Sequence, residues 1–236
     1  MANVTDEYRV RAVNTSRETE NKVHDDAVAV RYGFRGGLVA GVNVYGYMVV
    51  PVLARLGPAL LEDGRITAKF LQPFYEGETV VVRVRPEGEH LAVTAEDESG
   101  AVRASGTAAM GAPQSGDLPP EAPLSTDRPE ASAQVIYAGR VLGTYAAAVD
   151  EPTQEALLGL ANSIVVANYR ISPWIHTSSE VACYGRAQPG ETLSVRGVIR
   201  DCYERKGHEF MVLDVAVLGR SLIQRITHTA IWKLRE

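Results

Sequence analysis

Residues 75–83 read Tyr-Glu-Gly-Glu-Thr-Val-Val-Val-Arg, and residues 188–196 read Gln-Pro-Gly-Glu-Thr-Leu-Ser-Val-Arg, the same Gly-Glu-Thr element 113 positions later. A glycine just before an alternating, β-branched run marks a turn that feeds a strand. Its return at a fixed offset marks one supersecondary unit used twice. Downstream, Gly88 and Gly100 match Gly207 and Gly219 at an offset of 119, so the second copy carries six more residues, around Cys202 to Lys206. Hairpin tips accept such insertions at small entropic cost.

Outward from the repeat, Tyr8 to Val13 alternates like a strand, and Leu38 to Leu56 is apolar nearly all round, as in a helix buried on several sides. Ile66–Phe70, Thr79–Arg85, Leu91–Glu96 and Val102–Met110 show period-two patterning and make an antiparallel sheet. A shift of 113 predicts a second helix from Pro152, with Asp150 as N-cap and Pro152 in the first turn, reaching residue 168. Strands are expected to follow at Glu180–Tyr184, Thr192–Cys202, Glu209–Leu218 and Ser221–Leu234. Between the copies, residues 111–134 hold five of the twelve prolines and read as an extended, solvated linker. The expected organisation is a first unit over 1–110, the linker over 111–134, and a second unit over 135–236 whose first strand lies near Ala133 to Tyr137.

The chain has 236 residues and 45% hydrophobic content, enough for a sizeable core. Its 24 basic and 29 acidic residues are scattered, with a net charge of −5, which argues against a nucleic-acid surface. The opening MANVTDEYRV lacks the basic and apolar regions of a signal peptide, and Leu38–Leu56 is interrupted by Asn43 and Arg55, so a cytoplasmic protein without a membrane segment is expected. Cys183 and Cys202 lack a CxxC pairing, as in reduced core thiols, and neither a metal site nor a cofactor is expected. No P-loop, GxGxxG after a strand, or GxSxG is present.

The chemistry-bearing stretch is residues 19–42, TENKVHDDAVAVRYGFRGGLVAGV. Its spacing, Asn21-x-x-His24-x-Asp26, then Gly33-Phe34, then Leu38-x-x-Gly41, resembles the hydratase-2 motif of MaoC-like enoyl-CoA hydratases. That resemblance implies an α+β double hotdog, two units that each wrap an antiparallel sheet around a central helix and join edge to edge. It also implies reversible water addition to a 2-enoyl thioester carried by coenzyme A or an acyl carrier protein. His24 would be the acid–base group and Gly41 would offer its N–H to the thioester oxygen, with His24 pointing toward Gly41 across a cleft walled by the second unit. Thr19 stands where the family has its catalytic aspartate, Lys22 where proline is usual, and Ala40 where histidine is usual. Asn21, Asp26, Phe34, Leu38 and, from the second unit, His176 are the expected substrate-binding residues.

The offset of 113 sets Tyr137 opposite His24 and Ser132 opposite Thr19, so the motif is expected only once. The basic tip Arg205-Lys206-Gly207-His208 is a candidate contact for a coenzyme phosphate. Two further readings stand beside the hydratase. One is a hotdog thioesterase using Glu20, Asp25 or Asp26; the other is a thioester-binding protein without turnover. The expected assembly is a monomeric pseudo-dimer or a homodimer.

Overall fold

A computed structural model describes residues 7–235. Ten strands form a single antiparallel sheet: β1 (Glu7–Arg11), β2 (Gly64–Phe70), β3 (Thr79–Glu87), β4 (His90–Glu96), β5 (Val102–Met110), β6 (Tyr145–Val149), β7 (Ile175–Cys183), β8 (Glu191–Arg205), β9 (His208–Leu218) and β10 (Leu222–Lys233). Their order across the sheet is β1-β3-β4-β5-β2-β7-β10-β9-β8-β6, five strands from each half of the chain. The halves meet where β2 runs antiparallel to β7, Gly64 opposite Cys183 and Lys69 opposite Ser178. That pairing satisfies two edges that separate units would leave exposed. Among the described residues three α-helices accompany the sheet, α1 (Asp26–Arg31), α2 (Gly41–Leu56) and α3 (Gln154–Asn168), with short 3-10 turns at Lys22–His24 and Pro58–Leu61. The long helices α2 and α3 touch each other and the strands of their own halves, and one continuous core runs through both. Two helices, each with its own five strands, fused through one sheet is the double-hotdog arrangement.

The repeated Gly-Glu-Thr element does the same work in both halves. Gly77 and Gly190 take left-handed conformations with φ of 77° and 74°. Their N–H groups donate to Ala12 O and Val149 O, at the ends of β1 and β6. Glu78 and Glu191 then reach back to accept the N–H of Tyr75 and Gln188, each at 2.9 Å. A turn that needs positive φ, followed by a carboxylate closing the turn three residues back, is local chemistry. The same three residues therefore build it twice.

The equal spacing ends upstream of the helices. In the first half residues 12–40 separate β1 from α2, whereas in the second only residues 150–153 separate β6 from α3. The second half's first strand therefore begins at Tyr145, not near Ala133 to Tyr137. Gly139, with φ of 88°, breaks that stretch into turns that bury Ile136 and Leu142. Tyr137 and Ser132 are consequently not the counterparts of His24 and Thr19: the second half lacks the long loop altogether. The cap of α3 is Thr153, whose side chain accepts the Ala156 N–H at 3.1 Å, rather than Asp150. The strand expected at Glu180 starts five residues earlier and includes His176. The Pro-rich segment is docked on the second half, where Arg225 donates to Ser115 O and Asp117 O and Tyr184 donates to Pro113 O. Among the described residues no helix is long and apolar enough to cross a membrane.

Candidate active site

The long loop 12–40 is held by a small core of its own. Val23, Ala29 and Leu38 are buried together, with Phe34 and Ile175 packed against them. Asp25 caps α1 by accepting the Val28 N–H at 3.0 Å. Asp26 accepts the Gly37 N–H at 2.8 Å and lies 3.8 Å from Arg17. A Cβ at Gly37 would run into the His24 carbonyl oxygen, so glycine is what lets the two ends of the loop close on each other. Asn14 Nδ2 donates to that same carbonyl oxygen at 2.8 Å.

His24 emerges from this frame 9% exposed. Its Nδ1 lies 2.7 Å from the Leu38 carbonyl oxygen, which can only accept, so Nδ1 carries the proton and Nε2 the lone pair. Asn21 Nδ2 stands 3.2 Å from Nε2 as its donor. Burial holds the His24 pKa below its ordinary value, against a smaller opposite pull from the Leu38 carbonyl, so the ring is neutral at neutral pH. Asn21 also spans the two halves: its Nδ2 donates to Trp174 O at 2.7 Å and its Oδ1 accepts the Trp174 N–H at 3.0 Å. The amide side chain thus pairs with Trp174 as a neighbouring strand would.

At the start of α2 the capping residue is Ala40, which has no side-chain acceptor; the Asn43 N–H turns back to the Ala40 carbonyl at 3.0 Å, and the Gly41 and Val42 N–H groups stay open, whereas at α3 the Thr153 side chain takes the Ala156 N–H. The imidazole packed on Gly41 is that of His176, not His24: a Cβ at Gly41 would stand 2.8 Å from His176 Nδ1. His176 Nε2 is 2.8 Å from Ser179 Oγ, which is 3.0 Å from His228 Nδ1. The two rings stack at 4.0 Å, with Phe70 against His176 at 4.6 Å and Trp174 against His228 at 5.9 Å. His176 Nδ1 and His228 Nε2 are buried without a hydrogen-bond partner. Burial, and then His228, pushes the His176 pKa well below the usual imidazole range, with the Ser178 backbone opposing to a smaller extent. Burial alone takes His228 down to about 3. Both rings are therefore neutral at ordinary pH.

A cavity of about 1310 Å³ lies between the halves. Loop residues 16–24 and 31–42 form one wall, the end of α3 and residues 173–177 the other, and residues 231–235 part of the mouth. Thr19, Asn21, His24, Phe34, Leu38, Gly41 and His176 all line it. Asp26 is not among the lining residues; its Oδ1 accepts the Gly37 N–H, which fastens the loop. Thr19 is exposed and its hydroxyl donates to Ser16 O at 2.7 Å, leaving its lone pairs free to accept. Glu20 is the one acidic residue in the lining and is paired with Arg128 at 2.6 Å, which lowers its pKa. Arg31, Arg128, Lys233 and Arg235 make the rest of the charged lining cationic. From the basic tip, His208 lines the cavity while Arg205 and Lys206 do not. Among the described residues no group of three or more His, Cys, Asp or Glu could hold a metal ion.

Sequence reasoning missed Ser179 and His228. The signal for His228 was present, since it falls in phase with the inward-facing Ile226 and Ala230 on β10, where a histidine is out of place in an apolar series. Ser179 had none, because it bridges the two rings only once the β7–β10 pairing sets it opposite His228.

No family model matches the chain, and no curated protein matches it. Solved structures do. A conserved hypothetical protein of Mycobacterium tuberculosis, described as having a double hotdog fold, superposes with a TM-score of 0.68 at 14% identity, covering 95% of this chain and 93% of that one. A protein assigned as a MaoC-domain dehydratase from Chloroflexus aurantiacus gives 0.65 at 11% identity over 97% and 94%. An acyl-CoA thioesterase II from Mycobacterium marinum gives 0.57 at 14% identity over 83% and 89%. At these identities the likeness is one of fold, and the fold is a double hotdog.

Proposed function

We propose that this chain processes an acyl thioester and that its reaction is reversible water addition to a 2-enoyl thioester. The observation that carries the reading is the meeting, in one cavity between the halves, of a neutral buried imidazole, His24, with the uncapped N-terminus of α2. The open N–H groups and positive end of α2 suit the enolate oxygen that develops as hydroxide adds to C3. His24 Nε2, unprotonated because Nδ1 is committed to Leu38 O, is the nitrogen that would take the proton from water and return it to C2, a step in which water displaces the 3.2 Å Asn21 amide contact while that amide keeps its bond to Trp174 O. Thr19, in place of a carboxylate, can hold that water by accepting from it but cannot deprotonate it. The cationic lining, Arg31 and Arg235 among it, suits the phosphates of a coenzyme A or carrier-protein thioester. Gly41 is the backbone donor in this reading, and Phe34 and Leu38 are acyl contacts.

Hydrolysis is the second reading, favoured by the thioesterase among the structural neighbours. Its candidate carboxylates are all engaged: Glu20 with Arg128, Asp25 as the α1 cap, and Asp26 on Gly37. An assay with short and long enoyl-CoA and saturated acyl-CoA separates the readings, since loss of conjugated absorbance means hydration, free thiol means hydrolysis, and neither means binding only. His24→Ala is expected to lower hydration by about 100-fold or more. Unchanged turnover would remove His24 from the reaction. Thr19→Asp, which restores a carboxylate at the cavity wall, is expected to raise hydration; if it abolishes activity, the threonine serves a different reaction.

A further inference from the structure

We infer that His176, contributed by the second half, is the side-chain donor of the oxyanion site at the N-terminus of α2, presenting Nδ1–H to the thioester oxygen beside the helix N–H groups. The inference rests on the acyl-thioester reading and adds to it a second histidine with a stated proton position. His176 lines the cavity, is 8% exposed, and has its Nδ1 against Gly41 with no protein partner. The proton position follows from the far end of the array. His228 is fully buried and outside the cavity lining, so no ligand or water in the cavity can meet a proton on its unpartnered Nε2, and its proton belongs on Nδ1; His176 is the end of the array that lines the cavity, where a donor can be met. That N–H donates to Ser179 Oγ, whose own proton is then free to donate to His176 Nε2. A nitrogen that accepts carries no proton, so the His176 proton is left on Nδ1, facing the start of α2. Bonds aligned in one direction polarise one another and strengthen the terminal donor. The burial that keeps the ring neutral also suits this role: a neutral N–H donor leaves no fixed charge in an apolar cavity before the substrate's oxygen becomes negative. His176 is the group that touches substrate, while Ser179 and His228 are positioning residues that act through it.

Imidazole nitrogen NMR on the free protein at neutral pH tests the proton position without any ligand. The expected result is a protonated Nδ1 and a bare Nε2 on His176, shifting toward a tautomer mixture in Ser179→Ala. A bare Nδ1 overturns the inference. The catalytic half is read from His176→Ala, expected to lose about 100- to 1000-fold in kcat with KM little changed. His176→Asn can present an amide N–H near the Nδ1 position and is expected to recover at least about ten-fold of that loss. A folded His176→Ala protein within a few-fold of wild type on an active thioester sinks the assignment alone. A wild type inactive on every thioester sinks the acyl-thioester reading and the assignment with it.

Discussion

The three buried histidines make a measurable demand on pH. His176 and His228 are neutral in the native protein because burial disfavours their charged forms, while in the unfolded chain each titrates near an ordinary imidazole pKa of about 6.5. A native pKa lowered in this way means that the stabilisation is complete above about pH 6.5 and is lost as pH falls, down to the point near 3 where His228 itself takes a proton. Between about pH 7 and about pH 5 the unfolded state gains close to one proton per ring that the native state refuses, a loss of about 2 kcal/mol per histidine and about 4 kcal/mol for the pair. His24, whose pKa is lowered less, adds a smaller amount of the same sign. Against a typical total of about 5–15 kcal/mol, this is a large share. Urea unfolding at the two pH values, in wild type and in a His176→Asn, His228→Asn double variant, isolates the pair, because the carboxylate contributions common to both proteins cancel. The variant is expected to lose about 4 kcal/mol less than wild type over the interval, at equal m-values. Equal losses in the two proteins would refute the argument that these rings are buried neutral.

Two further outcomes follow from the packing. Asn21→Ala removes the side chain that pairs with both backbone groups of Trp174 and leaves a buried N–H and C=O open, so a loss of about 3 kcal/mol in chemical denaturation is expected, with faster amide exchange at Trp174. Gly106→Ala would drive a methyl group into the Thr67 carbonyl oxygen between β5 and β2, and should cost about 3 kcal/mol or more in thermal or urea unfolding, whereas the same change at Gly159, which faces open space, should cost little.

The repeat was legible because its chemistry is local. Gly77 and Gly190 need positive φ, Glu78 and Glu191 close the turn within three residues, and the strands after them alternate with the pleat. The same holds for α2, whose residues Val44, Tyr45, Met48, Val49 and Val52 are buried as an all-round apolar helix requires. The offset misled upstream of the helices because it carries no information about loop length: a loop spanning 12–40 in one half and 150–153 in the other is compatible with the same strand pairing.

The sequence by itself therefore determined two like units, an antiparallel sheet around each long helix, and a single polar loop at residues 19–42 that carries His24. Each of these depends on neighbours a few residues apart. Only the tertiary structure decided that Asn21 pairs with Trp174, 153 residues away, that Asp26 is taken by Gly37, and that the ring lying on Gly41 is His176. The Asn21 and His176 contacts arise where β2 joins β7, while Asp26 meets Gly37 as the loop closes on itself. The physical reason is that a hydrogen bond or a steric contact is specific to about an ångström in space, while the pairing that brings its partners together is chosen by burial summed over whole strands. No short window of sequence contains that sum.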